Sequence, residues 1–396
     1  MSHRYAILGS GRQGTAAAYD LAVHGEAESI LLADLHLETA EQSAARVNHL
    51  AGRQIATATM INVRDSDAVV DLLKTHNIQA FISGVPYFFN MELARAAVRA
   101  RASMADFGGN TDQTRAQLAL NDEAKAAGIT LTPDCGQVPG LGNSLCAYTM
   151  SLFDEPLDLI MYDGGIPAEP RPPWNYILTF NIEGLTNEYF GPTVFIRDGQ
   201  LVEMSCFHEE EYELIDFGDN IGTLEAFTTA GGTSTMPWTW TGKLRTLQNK
   251  TIRWPGHYAQ WKAFSDAGLL ELTPVEVDGQ FVVPRHVLHA VLAAQIYAKP
   301  EDRDLVIVRI LGRGIVKGKE REVTVDLIDR YDETTGFTAM ERTTGWHAAI
   351  ICAAQARGAT PRGGVPVELA MPGPDFAGEL LKRGFDLRVN WNSPAT

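Results

Sequence analysis

The sequence predicts an α/β protein: a doubly wound, parallel Rossmann sheet with an inserted α+β domain, and a tail that returns to the first sheet. A short apolar run, Tyr5-Ala-Ile-Leu8, breaks into Gly9, Gly11 and Gly14 and then becomes helix-forming. Strand-like and helix-like segments alternate from there to Thr132, the pattern of parallel strands joined by crossover helices. From about Leu157 the chain changes to extended runs separated by turns, which suits a largely antiparallel sheet.

The opening turn carries the first chemistry. Gly9 permits the tight bend after the strand, Gly11 leaves no side chain between backbone and a pyrophosphate, and Gly14 lets the helix pack closely on the strand. With Ser10, Arg12 and Gln13 between them, these glycines place free N–H groups and a positive dipole end toward phosphates. Ser29 to Asp34 reads as the next strand, and Asp34 stands twenty positions after Gly14. A carboxylate there accepts hydrogen bonds from ribose hydroxyls and repels a 2′-phosphate, so the expected cofactor is NAD.

The alternation continues with helix at Leu37–Leu50, strand at Gln54–Met60, helix at Ser66–Thr75 and strand at Ala80–Gly84. Helix at Phe88–Ala100, strand at Ser103–Asp106, helix at Thr111–Ala127 and strand at Ile129–Thr132 follow. Ligands of such sheets lie outside the carboxyl ends of the strands. Val63, Arg64, Val85, Pro86, Gly136 and Val138, all at those ends, are therefore expected at the cofactor. In the second half, Leu159–Asp163, Ile177–Ile182, Thr193–Arg197, Leu305–Leu311 and Glu322–Asp329 read as strands, with a Pro-rich connection from Ile166 to Trp174. Gly345–Arg357 and Phe376–Arg383 read as helices. The expected division is 1–140 for the NAD-binding domain, 141–344 for the inserted α+β domain, and 345–396 for helices returning to the first.

Composition narrows the function. The chain has 396 residues, 45% of them hydrophobic and 21% charged, with a formal net charge of -16. That balance describes an ordinary globular protein and argues against nucleic acid or an anionic membrane surface as partner. Cys135, Cys146, Cys206 and Cys352 form no C-x-x-C pair, and no signal peptide or long apolar run is visible, so a reduced, cytoplasmic setting is expected. The ten histidines show no ligand spacing, and no metal is expected. Cys135 has no basic neighbour in sequence to lower its pKa and reads as a small packing residue.

Several stretches resemble the saccharopine dehydrogenase family: Pro133-Asp-Cys-Gly-Gln-Val-Pro-Gly140, Gly164-Gly-Ile-Pro167, Phe180-Asn-Ile-Glu-Gly-Leu-Thr-Asn-Glu-Tyr189, Lys250-Thr-Ile-Arg-Trp-Pro-Gly-His257, and the tail from Arg357 to Gly384. More narrowly they are similar to its L-lysine 6-dehydrogenase branch. The resemblance implies that 141–344 is a substrate-binding and dimerisation domain, with the active site in the cleft between the two domains, a homodimer or larger homo-oligomer, and NAD-dependent oxidation of the ε-amine of L-lysine. The products are ammonia and a semialdehyde that cyclises to 1-piperideine-6-carboxylate. Reductive coupling of an amine to an aldehyde, as in the saccharopine and carboxynorspermidine branches, is the alternative, and a non-catalytic NAD-binding sensor a second one.

Amine oxidation requires a group to deprotonate the ammonium, tolerance of a cationic imine and an activated water. Tyr87, after Val85-Pro86, matches a tyrosine that the family places beside the substrate; it also reads as a packing aromatic. Asp163, before Gly164 and Gly165, comes at a strand end facing the cleft in the resemblance and can take the amine's proton or start a turn. Arg253, the last residue of the T-x-R motif that begins at Thr251, offers a planar fork for a substrate carboxylate. His257 can shuttle a proton or cap the following helix. Glu183 and Glu188 are candidates for the α-ammonium or for structural pairs. Two departures stand out. Ala230–Thr235 lacks the Arg with which saccharopine reductases hold the glutamate portion of saccharopine, and Val138 stands where those reductases have an acid before Pro-Gly.

Overall fold

The computed structural model describes residues 2–218 and 220–392. Its first half runs β1 (His3–Leu8), α1 (Arg12–His24), β2 (Ala27–Asp34), α2 (Leu37–Ala51), β3 (Ala56–Met60), α3 (Ser66–Thr75), β4 (Ala80–Ser83), α4 (Asn90–Ala100), β5 (Ser103–Asp106), α5 (Thr111–Leu118), α6 (Asn121–Ala127) and β6 (Thr130–Thr132). Local chemistry sets the ends. The Asp65 carboxylate accepts the Ala68 N–H at the start of α3, Asn110 accepts that of Gln113 at the start of α5, and α2 stops at the left-handed Gly52. All these strands pair in parallel, in the order β6-β5-β4-β1-β2-β3.

One correction falls in this half. The helix expected over Thr111–Ala127 breaks into α5 and α6 around Ala119 and Leu120. The break lies where the tail strand comes against it: a Cβ on Gly364 would stand 2.5 Å from the Leu118 carbonyl oxygen.

The second half opens with α7 (Leu141–Met150) and the long strand β7 (Glu155–Pro167). There follow α8 (Ile182–Glu188), β8 (Pro192–Arg197), β9 (Gln200–Ser205), β10 (Glu213–Asp216), β11 (Thr223–Phe227), α9 (Met236–Trp240), β12 (Thr246–Arg253) and α10 (His257–Asp266). A separate hairpin, β13 (Val275–Val277) with β14 (Gln280–Val282), leads to α11 (Pro284–Ile296), β15 (Asp304–Val316) and β16 (Lys319–Arg330). The main sheet is antiparallel except at its centre, where β7 and β12 run parallel. Ile177–Ile182, expected as a strand, is not one; Leu178 makes an isolated bridge to Tyr297 and α8 begins at Ile182. Its apolar residues instead bury Tyr176 and Leu178 against Leu288, Leu292 and Ile296 of α11, and the Asn181 side chain caps α8.

The chain then recrosses. A short helix α12 (Ala339–Glu341) runs through a π turn, Arg342–Trp346, into α13 (His347–Ala356). Gly345 lies against α1 so closely that a Cβ would stand 2.7 Å from the Gln13 carbonyl oxygen. Helix α13 buries Ala348, Ala349, Ile351 and Cys352 against Tyr5, Ile7, Ile82 and Ala105 of the first sheet, and β17 (Gly363–Gly364) extends that sheet beyond β6. The rest of the tail departs from expectation. Helix α14 (Gly373–Lys382) packs on α7, and β18 (Leu387–Trp391) pairs with β16 in the second sheet, because Leu387 and Val389 complete the apolar layer around Val323, Val325 and Leu327. Among the described residues no helix is long and apolar enough to cross a membrane.

Candidate active site

Three features of the first sheet's carboxyl edge fit a dinucleotide. Gly9 has φ +98°, and a Cβ there would stand 2.6 Å from the carbonyl of Gly84. A Cβ on Gly14 would stand 2.2 Å from the Gly9 carbonyl oxygen, whereas one on Gly11 would meet nothing within 4 Å. The first two glycines thus serve the fold, and Gly11 leaves open space in front of an α1 N-terminus that no side chain caps. Donors facing open space are what a pyrophosphate requires. Asp34 ends β2 with its carboxylate accepting the N–H groups of Ser10 (2.9 Å) and His36 (3.1 Å).

Not every residue expected at the cofactor points there. The Ser10 hydroxyl is turned inward to the Ala33 carbonyl. Arg12 reaches across to the second layer and pairs with Glu341 at 2.9 Å, while the Gln13 side chain donates to the Thr179 carbonyl. Arg64 stacks over Phe89, and Val63 and Val85 pack against the core beside β4. Pro86 is exposed ahead of the turn that carries Tyr87. Gly136 packs against the Phe107 carbonyl. Val138 is corrected: its side chain wedges between Gly142, Met161 and Gly232, toward the second domain.

The other wall is the carboxyl end of β7 and β12. Thr251 pairs in register with Asp163, so the alternation of a strand puts Asn249, Thr251 and Arg253 on the same face as Met161, Asp163 and Gly165. Lower on this face Leu159, Met161 and Leu247 pack under Leu141 and Leu145 of α7; the polar row begins where that cover ends. Asp163 is 6% exposed and accepts 2.7 Å from the Asn249 amide. Burial pushes its carboxyl up to about 6, against the opposing effects of Asn249, the Arg253 charge and Gln137. The Thr251 hydroxyl bonds to that of Thr229 at 2.7 Å.

Arg253 is 3% exposed. Its Nε donates to Tyr189 Oη (3.0 Å), Nη2 to Glu188 (3.0 Å) and Nη1 to the Ile252 carbonyl (3.0 Å), which leaves two of the five guanidinium N–H groups unspent. Gly164 makes room for this group: a Cβ there would lie 3.0 Å from Nη1 and 2.3 Å from the Ile252 carbonyl oxygen. Gly165 does the same for Met340, whose Cε would be 2.4 Å from an added Cβ. Both glycines therefore shape the wall, leaving room for the Arg253 guanidinium and the Met340 side chain.

His257 is corrected from proton carrier to anchor. It is fully buried, and Tyr189 Oη, which accepts from Arg253 Nε, shares a 2.8 Å hydrogen bond with His257 Nε2. Burial and the nearby Arg253 charge hold the imidazole well below its ordinary pKa, so it stays neutral and fixes Tyr189, which fixes Arg253. Glu183 is likewise corrected. It pairs with the buried Arg285 at 3.3 Å and faces His289, while Glu188, five residues on, is the acid that meets Arg253. Burial raises the Glu188 carboxyl to about 7, against the pull of Arg253. Tyr87 sits half-buried at the tip of β4, its ring against Gly109, and its hydroxyl finds no protein partner among the described residues.

Gln137 and Asn249, around Asp163, and Tyr189, behind Arg253, complete the candidate site and were not singled out by sequence reasoning. Period-two alternation from Thr251 and Arg253 was a signal for Asn249. Gln137 arrives from the loop after β6, on the opposite layer, and no local spacing announces it. Its amide faces the Asp163 carboxylate, and the Asn249 Oδ1 is buried with no hydrogen-bond partner among the described residues, a polar atom left over beside Asp163. No cluster of potential metal ligands occurs among the described residues.

Comparison with known proteins matches two family models, described as the saccharopine dehydrogenase NADP binding domain (residues 5–132) and the saccharopine dehydrogenase C-terminal domain (residues 136–385). Carboxynorspermidine synthases of Vibrio alginolyticus and Vibrio cholerae serotype O1 are 25% and 24% identical over 291 residues. Each match takes in 68% of this chain and 66% of the relative, just under two thirds of the relatives' length. Among solved structures, apo saccharopine dehydrogenase (L-Glu forming) from Saccharomyces cerevisiae superposes with a TM-score of 0.78 at 18% identity, over 99% of this chain and 100% of the other. That likeness is one of fold.

Proposed function

The chain belongs to the saccharopine dehydrogenase family of NAD(P)-binding oxidoreductases, and on that premise we propose that it oxidises the terminal amine of L-lysine with NAD, releasing ammonia. One observation carries the reading: Asp163, a buried carboxylate held by an amide, with a pKa raised to about 6, beside the spare donors of Arg253. Such a group attracts an ammonium and is basic enough near neutrality to take its proton. A bound nicotinamide supplies the oxidant for the carbon that bears the nitrogen. Asp163 holds the ammonium's proton at its carboxylate and then passes it to solvent, which restores the negative charge that faces the cationic imine left on the substrate. Arg253 orients the substrate carboxylate through its unspent N–H groups, and the free Tyr87 hydroxyl on the facing wall positions the water that attacks the imine.

Asp34 supports NAD over NADP, since a 2′-phosphate would face its carboxylate. Ala230–Thr235 supports a single amino acid as substrate. The segment offers no cation and is fixed from both sides, with Asn143 of α7 donating to the carbonyls of Gly232 and Thr233 and the Ser234 hydroxyl donating to Asp134 of the first layer. The names of the two Vibrio relatives favour a second reading, reductive joining of an amine to an aldehyde. Purified protein incubated with NAD and lysine, ornithine or other diamino acids decides between them. NADH and ammonia from lysine support the first. Coupled product from aldehyde, amine and reduced cofactor, with no lysine oxidation, supports the second and refutes the first.

A further inference from the structure

Strands β5 and β6 deliver two carboxylates, Asp106 and Asp134, to the carboxyl edge of the first sheet. In a sheet of this order the glycine turn after β1 takes the pyrophosphate and Asp34 the adenosine end, so the nicotinamide half lies over β4 to β6. Both side chains are buried, at 1% and 2% exposure. Asp106 accepts from Gln117 Nε2 (2.7 Å), the Gly108 N–H (2.8 Å) and the Asp134 N–H (3.2 Å). Asp134 Oδ2 accepts from the Ser234 hydroxyl, which comes from the second layer, and the Thr114 hydroxyl also faces the carboxylate. A third buried carboxylate, Glu368, takes the hydroxyls of Thr235 and Thr239.

None of the three meets a cationic side chain among the described residues; every donor they have is neutral. A buried carboxylate without a counter-charge is disfavoured in its ionised form and holds its proton more tightly, an arrangement from which fold stability gains nothing. Asp134 and Ser234 also meet with both backbones in the left-handed region, φ +59° and +45°, conformations that persist where function requires them. The missing counter-charge is the kind that a pyridinium ring supplies.

We propose that Asp134, backed by Asp106, makes the dinucleotide site favour the oxidised, positively charged nicotinamide over the reduced, neutral one. The inference needs only that a nicotinamide dinucleotide binds here, and it stands or falls apart from lysine as substrate. The groups that face Asp134 are Asp106 and Glu368, which raise its pKa, and the hydroxyls of Ser234 and Thr114, which lower it. Burial is the largest influence, and the carboxyl comes to rest at about 7. A cation arriving nearby drives its remaining proton into solvent.

Calorimetric titration of the full chain with oxidised and reduced dinucleotide, at neutral pH in two buffers of different ionisation enthalpy, reads both affinity and proton release. The wild type is expected to release protons with the oxidised form alone. Asp134→Asn should remove most of that release and weaken oxidised binding about tenfold, with reduced binding changed less than about twofold. Ser234→Ala, which deletes the same contact between layers but keeps the carboxyl, should retain the preference and enlarge the release. Equal weakening of both redox forms by Asp134→Asn, or proton release unchanged by it, overturns the proposal. So does a Ser234→Ala variant that matches Asp134→Asn on both forms, since Asp134 would then only hold the layers together. If Asp134→Asn does not fold, wild-type binding without proton release or redox preference overturns it equally.

Discussion

Replacing Asp163 by Asn should make the protein more stable and nearly inactive at once. The folded state holds this proton at pH values where the unfolded chain has already released it, because burial lifts the carboxyl from 3.8 to about 6. Stability tied to the group is therefore fully present below pH 3.8 and is lost as pH rises through about 6. At pH 8 the ionised side chain costs about 3 kcal/mol relative to a neutral one of the same shape. Asn is that shape, and its carbonyl still accepts from Asn249. With unfolding entropy of about 2.1 cal/mol/K per residue, the gain corresponds to a rise in Tm of roughly 4 °C at pH 8 that vanishes by about pH 4. Loss of a proton acceptor should meanwhile lower kcat/KM about 100-fold or more, and the wild-type profile of kcat/KM should rise with pH through about 6. Calorimetry at the two pH values and initial rates of NADH formation test both halves. A Tm that falls at pH 8, or a variant keeping more than about a tenth of wild-type kcat/KM, would refute the assignment of Asp163 as a strained base.

The glycines of the first turn should separate by function. Gly14→Ala should lower the Tm of the cofactor-free protein by an amount equivalent to about 1–3 kcal/mol, because its Cβ meets the Gly9 carbonyl, whereas Gly11→Ala should leave that Tm unchanged and raise the cofactor Kd about tenfold. Asp34→Ser keeps a short acceptor for the Ser10 N–H and removes the charge; the ratio of kcat/KM for NAD to that for NADP should fall at least about tenfold in parallel assays. Arg253→Lys keeps a cation near Glu188 but loses the fork and the bond to Tyr189, so the substrate KM should rise about tenfold or more while kcat changes less in steady-state kinetics.

How far the sequence could be read depended on the range of the interaction. Gly9, Gly11, Gly14 and Asp34 declare themselves because a strand, a turn and a helix N-terminus form one local unit with fixed spacing. Thr251 and Arg253 were legible for a similar reason, since alternation alone assigns them one face. His257 misled because a histidine beside a suspected site looks titratable in sequence; only the buried ring stack and the Tyr189 hydroxyl make it a fixed partner. Ile177–Ile182 shows another limit. A short apolar run fits a strand or a buried loop equally well, and the choice was made by α11, more than a hundred residues later. Gln137 beside Asp163 and Ser234 on Asp134 join opposite layers, so their partners appear only once both sheets are assembled.

The interleaved tail bears on any attempt to take this protein apart. A fragment ending at residue 140 would carry every glycine of the nucleotide turn, yet it would lack α13, whose Ile351 and Cys352 seal one face of the sheet, and β17, which covers its outer edge. A fragment of the second sheet stopped before residue 387 would expose the edge of β16 that β18 occupies. Two bodies are visible in the architecture, but the polypeptide is laced through both, so neither is a module that can be excised, transplanted or expressed without the other.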